Sequence, residues 1–204
     1  MAHQSDPRFR VLHALRIKGF AKADVLAELA ALEPVEVETH LLAFQSSELA
    51  QFREARALWQ LTAKGREVHA AELDADAQSV REPIRSHYDD FLALNESFKE
   101  LCGDWQLRDG APNDHTDEVH DKAVIQRLLT IDSQAQPVVG AMGDQMERLA
   151  PYGPRLSSTA RRVADGDHHL FTGVMCGSYH DVWMELHEDL ILTLGVDRAA
   201  EGSF

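Results

Sequence analysis

His180 and His187 stand seven residues apart in Tyr179-His180-Asp181-Val182-Trp183-Met184-Glu185-Leu186-His187-Glu188-Asp189, a run with helical periodicity. Seven residues span about 10 Å of helix, too far for two imidazoles to share a zinc with bonds near ~2.0 Å. Neither histidine has a His or a carboxylate at three or four residues, as a His-Glu-x-x-His pair would. A metal site therefore needs a second helix, and Asp117 and His120, three apart, are the candidates to join His187. Cys102 and Cys176 lie beside Leu101 and Met175 with no flanking base to activate a thiol, and both are expected to be buried. Trp105, Tyr179 and Trp183, with His87, either fill a core or line an apolar effector pocket. G-x-S-x-G, a Gly-rich phosphate loop and paired-cysteine zinc motifs are all absent, so neither enzymatic activity nor a cofactor is expected.

The elements that must position these groups fall into two parts. Phe9, Val11, Leu12 and Leu15 predict a helix stopped by Gly19, and Val25, Leu26, Leu29 and Leu32 a second one from about Lys22. Pro34 suits the first turn of a third, carrying Val37, Leu41 and Phe44. Residues 49–53 and 58–61 alternate apolar with polar as a half-buried hairpin should, and Thr62 is placed to cap a following helix. Beyond it, Leu73, Ala77, Val80, Ile84, His87, Phe91, Leu94, Phe98, Leu101 and Trp105 step by four and three, an a/d seam whose polar member is His87. A second seam runs from Ile125 through Leu128, Asp132, Ala135, Val139, Met142 and Met146 to Leu149. If the seams face each other, His87 and Asp132 either pair and fix register or sit separately at a rim. The last long helix is expected from about Asp167 to Gly195, with Gly173 and Gly177 permitting close packing.

The fold class is accordingly mainly α: three helices plus a β-hairpin over residues 6–73, an antiparallel helical bundle over 74–197, and a tail over 198–204. Trp59-Gln60-Leu61-Thr62-Ala63-Lys64-Gly65-Arg66 resembles the wing strand and following helix (W-x-L-T-x-x-G-R) of MarR-like winged helix-turn-helix bacterial regulators. The likeness covers the N-terminal third. It implies a DNA-binding regulator acting as a homodimer, with Lys18, Lys22, Thr39, Arg53, Arg56 and Lys64 at DNA and the helical part pairing two wings and sensing an effector. A fainter likeness, to winged-helix segments that accompany phosphoenolpyruvate-utilising enzymes, implies instead an adaptor docking on a protein. Val119 to Ile125 and Leu186 to Leu192 faintly resemble the metal-binding helical domain of the FadR-like branch of GntR regulators, and this is what sets Asp117, His120 and His187 together.

Charge sharpens the choice. The 204 residues carry 34 Asp+Glu against 20 Lys+Arg, a net charge of −14. Residues 1–75 hold 11 acidic and 9 basic groups, so −12 of the −14 lies beyond them. Such a surface disfavours wholesale binding to nucleic acid or anionic lipid. Residues 34–48, the expected recognition helix, contain no Lys or Arg but include Glu36 and Glu38. No stretch of 18 apolar residues occurs and two cysteines are too few for a stapled scaffold, so a cytoplasmic protein that enters no membrane is expected.

Overall fold

The computed structural model describes residues 1–108 and 110–197; the expected tail at 198–204 lies outside them. Asp6 opens α1 (Pro7–Lys18) by accepting hydrogen bonds from the amides of Arg8 and Phe9, with Pro7 in the first turn. Gly19, at φ +71°, ends it. A two-residue strand, β1 (Phe20–Ala21), follows, then α2 (Ala23–Ala30) and α3 (Pro34–Ser46). The hairpin is β2 (Ala50–Arg53) and β3 (Leu58–Leu61), and α4 (Ala63–Ala77) follows directly. β3 is central in an antiparallel sheet ordered β1-β3-β2, with Phe52 opposite Trp59. Sequence reading missed β1, because two residues cannot display an alternation. Leu12, Leu15, Leu26, Leu41 and Phe44 are buried where the three helices meet.

The Thr62-to-Arg66 run has a mechanical explanation. Thr62 accepts from the Gly65 amide at 3.0 Å while its own hydroxyl donates to the Glu48 carbonyl at 2.7 Å. That draws the first turn of α4 onto the entry to β2, so a Cβ on Gly65 would stand 2.0 Å from the Leu49 carbonyl oxygen. Backbone cannot rotate aside as a side chain can. Gly65→Ala is therefore expected to cost about 3 kcal/mol, seen as a lower urea midpoint at unchanged m-value.

The second part contains α5 (Arg81–Gln106), a small hairpin of β4 (Leu107–Arg108) and β5 (Ala111–Pro112), α6 (Glu118–Gln145), α7 (Tyr152–Ala164) and α8 (Tyr179–Leu194). The chain is mainly α-helical, with two small antiparallel sheets among the described residues. The first seam is broken at residues 78–80, where α4 stops and α5 begins, so it is not one rod. Its frame also shifts: Tyr88 and Asn95 are buried where His87 and Leu94 were expected, and those two are only half-buried. The second seam is buried as expected from Ile125 to Leu149. Asp132 does not meet His87. It accepts from Gln136 at 3.0 Å, Ser157 at 2.8 Å and Tyr179 at 3.5 Å.

Both seams are largely buried within the chain itself. A single hydrophobic cluster runs from Val11 in α1 to Leu194 in α8, so the two parts share a core instead of meeting across a linker. The last helix is shorter than expected. Residues 168–170 form a 3-10 turn and 171–178 an irregular stretch before Ser178 caps α8. Gly173 and Gly177 are therefore not helical: the first lies where a Cβ would meet the His169 carbonyl oxygen at 2.3 Å, and the second has φ +71°. Cys176 falls on the same stretch and is exposed, contrary to expectation.

Candidate functional site

The seam between the two parts holds a buried cluster of charge. α1 supplies His13 and α4 supplies His69, each on a face otherwise apolar; Arg148 comes from the short turn after α6, and Asp189 and Thr193 are one turn apart on α8. His13 Nε2 lies 3.0 Å from Asp189 Oδ1, and His13 Nδ1 lies 2.8 Å from His69 Nε2. With Nε2–H of His13 donating to Asp189, its Nδ1 accepts from His69. Arg148 binds Asp189 directly, donates to Thr193 Oγ1 at 2.5 Å and faces Asp76 at 3.6 Å. The Tyr152 hydroxyl donates to Asp189 Oδ2 at 3.2 Å. Asp76 in turn holds the N-terminal segment through His3 at 2.7 Å and Ser5 at 2.9 Å.

The electrostatics follow from this burial. Desolvation pushes His69 down to about 3, helped by its neighbours His13 and Arg16, either of which would repel a proton on its ring. Burial likewise lowers His13, and the Arg148 charge adds to it against the opposing pull of Asp189. Burial alone would raise the Asp189 carboxyl, but Arg148 and the His13 hydrogen bond hold it well below the usual carboxylate range. An Asp–His–His chain can relay a proton, though His13 and His69 are only 4% and 2% exposed. Burial raises the Cys102 thiol to about 12, far from a reactive thiolate at neutral pH. The arrangement can join elements, and it does so along the whole seam. Arg16 pairs with Glu188 at 3.0 Å, and Glu185 receives both Lys18 at 2.5 Å and Arg155 at 2.8 Å.

The residues expected at DNA are scattered by this packing. Lys18 is turned into the seam against Glu185. Lys64 donates to the Ser47 carbonyl at 2.9 Å and lies 3.7 Å from Glu48. Thr39 is exposed with its hydroxyl on the Val35 carbonyl. Lys22, Arg53 and Arg56 are exposed, the last two around the hairpin tip, and Arg66 reaches the Leu61 carbonyl at 3.3 Å and braces the hairpin. The outward face of α3 shows Val35 at 72% and Leu42 at 58% exposure, with Glu38 between them. A cleft of about 550 Å³ between α3 and the hairpin is lined by Glu38, Leu42, Gln45, Phe52 and Trp59.

The other two sets do not assemble as sites. Trp183 is buried with its indole N–H on Asn95 Oδ1 at 2.9 Å, and it packs on Phe91 and Phe98. Tyr179 is buried on the Phe98 side, Trp105 lies against Phe171 and His115, and His87 is half-buried: these are core groups, not a pocket lining. Asp117 caps α6 and pairs with Arg108 at 2.7 Å, while His120 Nε2 meets the Asp104 carbonyl at 3.0 Å. His187 is buried among Tyr88 and Phe91. The three are thus held by separate partners, and no group of three metal-ligating side chains occurs among the described residues. No family model, curated protein or solved structure matches the chain. Among the described residues, no helix is long and apolar enough to cross a membrane.

Proposed function

We propose that residues 7–77 form a winged helix that docks on a protein, held rigidly by the helical bundle behind it. The observation that carries this reading is the face of α3: Val35 and Leu42 exposed beside Glu38, with no Lys or Arg on the helix. A helix entering the major groove passes between phosphates, where carboxylates are repelled and basic side chains normally supply affinity. Lys18 and Lys64, which the winged-helix resemblance would send to DNA, are engaged by Glu185 and by Ser47 and Glu48. An apolar strip edged by Glu36, Glu38 and Glu54 instead suits a protein surface with an apolar centre and a Lys/Arg rim. The likeness to segments that accompany phosphoenolpyruvate-utilising enzymes makes such an enzyme the first partner to try.

A second reading, an operator-binding regulator, is favoured by the exposed Arg53 and Arg56 at the hairpin tip together with Lys22. One experiment separates the two. A photo-crosslinking phenylalanine analogue is placed at Leu42 in cells, and the protein is titrated in parallel against its own upstream DNA at low and moderate salt. The docking reading expects a protein adduct whose yield drops about tenfold in Glu38→Lys, with DNA titrations flat at both salts. Nucleic-acid adducts with a steep salt slope would establish the regulator instead.

A further inference from the structure

We propose that the cleft where α1, α4, α5 and α8 converge binds a small monoanionic aliphatic carboxylate, a site that is independent of what the winged helix docks on. The cleft measures about 410 Å³ and is lined by Arg16, Arg66 and Arg81, with Leu73, Leu192 and Asp74. That volume falls in the range of small-molecule sites. Three arginines from three helices line one cleft in a protein whose net charge is −14. Such a concentration of like charge costs stability unless something offsets it.

Two of the three are offset within the chain. Arg16 NH1 donates to Glu188 at 3.0 Å, and Arg81 NH2 lies 2.8 Å from Asp74 while its Nε donates to the Thr193 carbonyl at 3.0 Å. Arg66 makes one neutral contact, to the Leu61 carbonyl at 3.3 Å, which uses one of its five N–H donors. Buried His69 also lines the cleft and, held down at about 3, adds no charge at neutral pH. The balance is one positive charge, which fits a monoanion better than a phosphate dianion. A guanidinium accepts a carboxylate through two parallel N–H bonds. Beside it Leu73, Leu192 and Ala70 offer aliphatic contact, and no Phe, Tyr or Trp lines the space, so the body of the ligand is aliphatic. A carboxylate held by Arg66 lies in a cleft whose wall is built by α1, α4, α5 and α8, at the seam that joins the two parts of the chain.

The test is calorimetric titration of the full chain with hexanoate, with hexanamide and inorganic phosphate as comparisons. Hexanoate is expected to bind one to one, and the two comparisons about tenfold more weakly. Arg66→Gln should weaken hexanoate about tenfold. Leu192→Glu, at a half-buried position and checked for native helicity by circular dichroism, should abolish binding by placing a carboxylate in the cleft. Arg162→Gln, which removes a surface pair with Asp167, should change nothing. The proposal is overturned if hexanoate gives no heat up to about 10 mM, a Kd beyond which affinity is negligible. It is equally overturned if hexanamide or phosphate binds as well as hexanoate, or if both Arg66→Gln and Leu192→Glu bind like the parent.

Discussion

Arg148→Met is expected to lower the unfolding free energy by about 3–5 kcal/mol, because it strands two carboxylates that no other Arg or Lys among the described residues meets. Arg148 is 6% exposed and Asp189 is 2% exposed, so water cannot replace the lost guanidinium. Asp189 would retain His13 at 3.0 Å and Tyr152 at 3.2 Å, and Asp76 would retain His3 and Ser5. Neutral donors of this kind compensate a buried charge only in part. Methionine keeps most of the volume, so cavity formation contributes little and the loss is electrostatic. The decisive comparison is the double variant Arg148→Met/Asp189→Leu, which removes both charges. It should recover at least half of the loss, since an apolar pair of similar size often does as well as a buried ion pair. Urea titrations of the parent, both single variants and the double variant measure the coupling. A double variant whose loss equals the sum of the two singles would show that Arg148 and Asp189 act independently.

The same cluster shows what sequence could and could not reveal. The periodicities at Phe9 to Leu15, Val37 to Phe44 and Ile125 to Met142 are each one-face patterns on single helices, and the structure buries those faces. Thr62 was legible as a cap because capping is a local bond. The seam was not legible, because His13, His69, Arg148 and Asp189 come from four separate segments, and the bonded partners His13 and Asp189 lie 176 residues apart. A signal was present in kind: His13 interrupts Leu12-His13-Ala14-Leu15, and Arg148 sits between Met146 and Leu149 on an apolar seam. A polar group on a buried face demands a partner, but spacing alone cannot say from which helix. The misread frame of α5 has the same origin. Tyr88 and His87 are both acceptable at a helical boundary, and packing against α8, where Tyr88 nears His187, decides between them. The false extension of α8 back to Asp167 arose from Phe171, Val174 and Met175, which continue an apolar pattern. Phe171 is buried from a non-helical stretch, while Val174 and Met175 stand exposed at 80% and 72%.

Acidification should weaken the fold well above the pH at which carboxylates titrate. In the folded chain His13 and His69 are held neutral by burial, His69 down to about 3, whereas unfolding restores both to the ordinary value of about 6.5. Below that value the unfolded chain binds protons that the folded chain refuses, so stability falls as pH falls. Well below pH 6.5 His69 contributes a slope of about 1.4 kcal/mol per pH unit, and His13, also lowered by burial, adds to it in the same direction. Between pH 6.5 and 4.5 the loss from His69 alone is then about 2 kcal/mol, a sizeable part of the 5–15 kcal/mol typical of a folded domain. Asp189 acts in a separate window. Its depressed carboxyl stabilises the fold above the ordinary carboxylate pKa and loses that contribution only as pH drops below it. His69→Gln keeps an amide donor for His13 Nδ1 and removes one titrating ring, so the slope between pH 6.5 and 4.5 should fall by about 1.4 kcal/mol per pH unit. Urea midpoints at half-unit steps of pH supply both profiles. Parallel profiles for the two proteins would mean that His69 takes up its proton without unfolding, and that the seam tolerates a charge its geometry gives no place to.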